Sequence, residues 1–67
     1  MNRRLSKLMT VDEVAAYLRV NPMTVYRMAN RGALPAVKVG DLWRFEERDI
    51  VAWLARQKQL TKRSRKR

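Results

Sequence analysis

The sequence contains no cysteine and no histidine. The first absence excludes disulfides and thiolate zinc sites, and the second removes the commonest metal ligand and acid–base group. An enzyme is therefore not expected, and neither is a cofactor. Acidic residues are few: six Asp and Glu stand against sixteen Lys and Arg, for a net charge of +10. No apolar run approaches the length needed to cross a bilayer, so no membrane association is expected. The segment Met1 to Met9 is basic but leads into no apolar stretch, so it does not read as a secretory signal. A cytoplasmic, nucleoid-associated protein is the expectation. Sixty-seven residues suffice for one small domain.

The charge is unevenly placed. Residues 1–8 carry Arg3, Arg4 and Lys7 and no acid, for +3. Residues 58–67 carry Lys58, Lys62, Arg63, Arg65, Lys66 and Arg67, for +6. Residues 9–57 hold all six acids against seven cations, for +1. A nearly neutral domain at 9–57 is thus flanked by two basic arms, with the C-terminal one at 58–67 expected to be disordered. Blocks of like charge commonly serve polyanions, although they also solubilise.

Within the middle segment, Thr10-Val-Asp-Glu13 has the form of a capping box. The Thr10 hydroxyl can accept from the Glu13 amide while the Glu13 carboxylate reaches back to the Thr10 amide. Met9 and Val14 stand at the positions of a hydrophobic staple, and Val11, Val14, Ala15 and Leu18 form one apolar face. A helix over 11–18 is predicted. The next helix, 22–31, begins within three residues: Asn21 suits an N-cap, Pro22 suits the first helical position, and Gly32 suits the stop. Val25, Met28 and Ala29 face inward, which leaves Met23, Tyr26, Arg27 and Asn30 on the opposite face.

Two short helices joined by so tight a turn cross steeply, as in a helix-turn-helix, where the second helix enters the major groove. In that reading Arg27 grips guanine O6 and N7, Asn30 reads adenine, and Met23 meets a thymine methyl. Tyr26 and Thr24 donate to phosphates, fixing register without reading sequence, and Asn21, the N-cap, is counted with them among the DNA-binding residues of this helix. Taken alone, Arg27 is as well explained as a solvated surface arginine, Tyr26 as cover for the core edge, Asn30 as help to the C-terminal cap, and Met23 as making no contact. The stripe as a whole is the stronger signal.

Residues 36–45 have strand character on both sides of Gly40-Asp41. A two-residue turn would pair Val39 with Leu42. A three-residue loop, Gly40 to Leu42, would pair Val39 with Trp43, Lys38 with Arg44 and Val37 with Phe45. Only the second gathers Val37, Val39, Trp43 and Phe45 on one face, so it is the register expected, even though Leu42 is a poor left-handed residue. It sets Lys38 directly across from Arg44, a repulsion that a phosphate backbone would relieve. A third helix is expected from about Glu46 to Gln57, with Ile50, Trp53 and Leu54 inward and charges matched to the helix dipole.

The runs Met9 to Leu18, Thr24 to Arg27, Gly32 to Gly40, Trp43 to Phe45 and Asp49 to Leu54 together resemble the excisionase-type, MerR-like winged helix-turn-helix proteins. The resemblance implies a mostly α fold with a small β-hairpin, a recognition helix at Asn21–Arg31 and a wing around Val39–Arg44. It implies double-stranded DNA as partner, with Lys38 and Arg44 acting from the wing. It further implies a site-specific recombinase or integrase as partner, DNA bending, and self-association mainly on DNA. No small-molecule effector is implied, since the long dimerising helix and effector domain of full MerR regulators are absent from this sequence. The arms, through Arg3, Arg4, Lys62, Arg63 and Arg65, would hold the DNA backbone. Two positions depart from the family pattern: Asp41 at the wing tip would repel phosphate, and Arg19 occupies the turn between the first two helices. A small transcription regulator of the same fold is the alternative function. An RNA binder and a protein-interaction adaptor are the remaining classes, disfavoured by inward aromatics and by the polar stripe respectively.

Overall fold

The computed structural model describes residues 7–65. Its elements run β1 (Leu8–Met9), α1 (Val11–Leu18), α2 (Pro22–Asn30), β2 (Val37–Val39), β3 (Leu42–Glu46) and α3 (Glu47–Arg65). The three strands form one antiparallel sheet in the order β1-β3-β2. The fold is the expected one: three helices and a small hairpin, with α1 and α2 as the helix-turn-helix pair. Strand β1 was not foreseen. Its two residues pair Leu8 with Glu46 and Met9 with Phe45. The amide of Glu47 then donates to the Lys7 carbonyl at 2.8 Å, which fixes the chain entry against the start of α3.

The capping box forms as the sequence requires. Thr10 Oγ1 accepts from the Glu13 amide at 3.1 Å and Glu13 Oε1 accepts from the Thr10 amide at 2.9 Å. The core gathers Met9, Val11, Val14, Ala15, Val25, Ala29, Leu34, Phe45 and Ile50, so every element but β2 contributes or flanks it. Trp43 and Trp53 pack against its edge. Trp53 Nε1 also donates to the Ala33 carbonyl at 3.0 Å, tying α3 to the segment that follows α2. Among the described residues, no buried side-chain polar atom lacks a partner.

The hairpin register differs from the expectation. Val39 pairs with Leu42, Lys38 with Trp43 and Val37 with Arg44. Gly40 has φ +66, and Arg19 is the only non-glycine at positive φ among the described residues. A glycine at positive φ in the first central position, followed by a residue at negative φ, is the pattern of a type II′ turn, whose twist matches that of the strands. The three-residue loop would have put a side-chain-bearing residue, Leu42, in the left-handed region. Local turn chemistry therefore outweighed the grouping of apolar residues. As a result Val37, Val39 and Leu42 are about half exposed on the outer face, while Phe45 is fully buried on the inner one.

The third helix also departs from expectation. It runs to Arg65, eight residues beyond Gln57, so most of the stretch expected to be disordered is helical. After Gln57 there is no glycine or proline to end the helix, and Lys, Gln, Leu and Arg all have good helix propensity. Cations near its C-terminal end complement the dipole.

Candidate nucleic-acid interface

Both ends of α2 are fixed. At its start Asn21 Oδ1 accepts from the Met23 amide at 2.8 Å, and Pro22 fills the first helical position. At its end the Ala33 amide donates to the Met28 carbonyl at 2.8 Å and the Gly32 amide to the Ala29 carbonyl at 3.2 Å. With Gly32 at φ +73, this is a Schellman closure. Val25 and Ala29 are buried against the core, which locks the rotation of the helix about its axis.

That rotation turns outward the residues expected there. Met23 is 58% exposed and Tyr26 43% exposed, and Arg27 and Asn30 are exposed beside them. Thr24 lies on the flank, half-buried. The Arg27 guanidinium makes no hydrogen bond or ion pair among the described residues, so its five donors are available to a ligand. Asn21 differs from the others. Its carbonyl oxygen accepts from the Met23 amide in the cap, which ties this side chain to the start of the helix.

The wing does not assemble as expected. Lys38 and Arg44 are not cross-strand partners, and the alternation of a strand sets them on opposite faces. Lys38 lies with its ammonium over the Trp43 ring, 4.8 Å from the centroid. Arg44 shares the outer face with Val37, Val39 and Leu42, and its Nη1 donates to the Trp43 carbonyl at 2.8 Å. The two cations therefore stand on separate faces and do not form one paired site. Asp41 sits exposed at the turn between them.

Of the arm residues, Arg3 and Arg4 lie outside the described residues. Lys62 is exposed on α3, one turn beyond Lys58, and both line a shallow groove with Ala55 and Gln59. Arg63 and Arg65 fall within the same helix. Two residues of the helix-turn-helix pair had no role in the sequence reading: Tyr17, 47% exposed on α1, and Arg31, exposed at the end of α2. Tyr17 falls off the apolar stripe of α1, the one signal by which it could have been singled out. Among the described residues, no cluster of three or more carboxylates could hold a metal ion, and no helix is long and apolar enough to cross a membrane.

Residues 8–58 match a family described as a helix-turn-helix domain, of the excisionase-like DNA-binding kind. The chain is 49% identical over 45 residues to Rv0500A of Mycobacterium tuberculosis (strain ATCC 25618 / H37Rv), provisionally named a DNA-binding protein. The same identity holds for the provisionally named DNA-binding protein MT0521 of strain CDC 1551 / Oshkosh. In both cases the aligned part covers 67% of this chain and 58% of the relative. The chain thus spans little more than half the length of these relatives. A stretch of 41 residues is also 44% identical to the uncharacterized protein YvgK of Bacillus subtilis (strain 168), covering 61% of this chain and 13% of that protein. With the fold, the fixed α2 and the matched span in agreement, the chain belongs to the helix-turn-helix family of excisionase-like DNA-binding domains.

Proposed function

We propose that the chain binds double-stranded DNA sequence-specifically and acts as a recombination directionality factor, an excisionase that bends its site and works with a site-specific recombinase. The observation that carries the DNA reading is the outward stripe of α2. Met23, Tyr26, Arg27 and Asn30 project from a helix capped at both ends, in a chain of net charge +10. A rigid helix with a free guanidinium fits the major groove, and the clustered positive charge supplies the electrostatic attraction to phosphate. Arg44 and Lys38 add wing contacts to the backbone beside the groove. Lys62 on α3 would hold the DNA backbone, and the same role is proposed for Arg63, Arg65, Arg3 and Arg4 from their charge.

One recognition helix and one wing bury about 600–1,000 Å² on DNA, little for selection in a genome. Several monomers filling adjacent sites would solve this, with phosphates neutralising the basic segments that repel in free solution. Sedimentation should accordingly show a monomer without DNA, and titration of a multi-site duplex should be cooperative. The excisionase role is tested by footprinting the DNA flanking the gene and by adding the protein to a recombinase excision reaction. Footprints confined to a promoter, with no effect on excision, would instead make it a transcription regulator.

A further inference from the structure

We propose that the first turn of α2 reads the C5-methyl group of thymine, so that the DNA site carries a thymine within about one or two base pairs of the guanine held by Arg27. This rests on the major-groove reading of α2 given above.

In a helix-turn-helix the N-terminal residues of the second helix stand nearest the base edges. Here the backbone amides at that end of the helix are all absent or already engaged. Pro22 has no amide hydrogen, the Met23 amide is closed by Asn21 Oδ1, and the Thr24 amide donates to the Asn21 carbonyl at 2.9 Å. Asn21 Oδ1 is turned back onto the Met23 amide, so the side chain is held in the cap and not extended toward a base edge. Thr24 is half-buried, and the first cation is Arg27, a full turn further on.

What this end does present is apolar. Met23 is 58% exposed, Val20 is 40% exposed, and the Pro22 ring lies exposed between them. In the major groove thymine alone among the four bases offers an apolar group, its C5-methyl. Methionine is unbranched and polarizable, so it can settle on a methyl whose position varies with local DNA geometry. The helix thus divides into a methyl-reading first turn and a guanine-reading second turn. Met23 and Arg27 are separated by four residues, roughly 6 Å along the axis at about 1.5 Å per residue. Base pairs are spaced about 3.4 Å apart, which sets the separation of the two contacts.

The test begins by selecting binding sites from randomised duplexes with the whole protein. Each thymine of the selected site is then replaced singly by deoxyuridine, which removes only the methyl group. At one or two positions close to a guanine, the Kd should rise about three- to five-fold, the effect of one buried methyl. In Met23→Ala, and in Met23→Gln, which keeps the side-chain length, thymine and deoxyuridine should bind alike. In Arg27→Ala the distinction should persist. Equal binding of thymine and deoxyuridine at every position would overturn the inference, as would a deoxyuridine penalty that survives in both Met23 variants; a base preference lost in Arg27→Ala would show that the major-groove reading of α2 stands in those cases. Selection that enriches no sequence would overturn the major-groove reading itself, and this inference with it.

Discussion

The ammonium of Lys38 lies over the ring of Trp43, directly across the hairpin and 4.8 Å from the ring centroid. This contact explains how the wing tolerates its register. With Val37, Val39 and Leu42 turned outward, the inner face of the hairpin beyond the core holds Trp43, and the Lys38 ammonium lies over its ring. A cation over an indole at an exposed site contributes about 0.5–1 kcal/mol.

Lys38→Ala should therefore lower stability by about that amount. In the proton NMR spectrum of the parent protein, the Lys38 side-chain methylenes should be shifted upfield by the indole ring current. Unshifted Lys38 methylenes, with ring-shifted Val39 methyls instead, would indicate the register in which Val39 faces Trp43.

Arg19 and Gly32 close α1 and α2 in the same way. The Arg19 amide donates to Ala16 and the Val20 amide to Ala15, as the Gly32 and Ala33 amides do to Ala29 and Met28. Arg19 does so at φ 60, where a Cβ is strained, and Gly32 at φ +73, where it is not. Arg19→Gly should stabilise the protein by up to about 1 kcal/mol, strain relief outweighing the added freedom of the unfolded chain. Gly32→Ala should destabilise it by about 1 kcal/mol, although a Cβ there would meet no atom within 4 Å. Urea midpoints of the two variants decide this. Shifts in the same direction would show that conformational strain is not the controlling term.

Arg27→Ala should weaken binding to the selected site by about 1–3 kcal/mol and relax the preference at one base pair. Random duplex should lose much less. If both kinds of DNA lose equally in a gel-shift titration, Arg27 contacts phosphate and base reading lies elsewhere on α2.

Deleting residues 58–67 removes part of a helix, yet residues 58–62 are all exposed and none belongs to the core. The melting temperature should change little, while helical circular dichroism falls in proportion to the residues lost. The salt dependence of DNA binding should flatten, by about 0.9 in the log–log slope for each phosphate contact removed. An unchanged slope would assign the segment a role other than holding DNA.

The capping box at Thr10 and Glu13, the Asn21 cap with Pro22, and the stop at Gly32 were all readable from the sequence, because each depends on residues within a few positions of one another. So was the outward stripe of α2, since helical periodicity decides it once the apolar face is known. The end of α3 is also a local matter: its run of cations reads as disorder, whereas Gln59, Leu60 and the cations themselves are good helix formers and no glycine or proline breaks the helix.

Tertiary structure decided the rest. Strand β1 is only two residues long, and Leu8-Met9 carries no periodic signal; it exists because β3 offers Phe45 and Glu46 as partners. The hairpin register was undetermined because two criteria conflicted. Gathering the apolar side chains favoured a three-residue loop, while the φ available to Gly40 favoured a two-residue turn, and the two-residue turn is the one that forms. As a result Lys38 and Arg44, adjacent in the expected register, stand on opposite faces of the hairpin. Caps and faces follow from the chain's own short-range geometry, but which strands pair, and in which register, follows from contacts between segments that meet only in the folded protein.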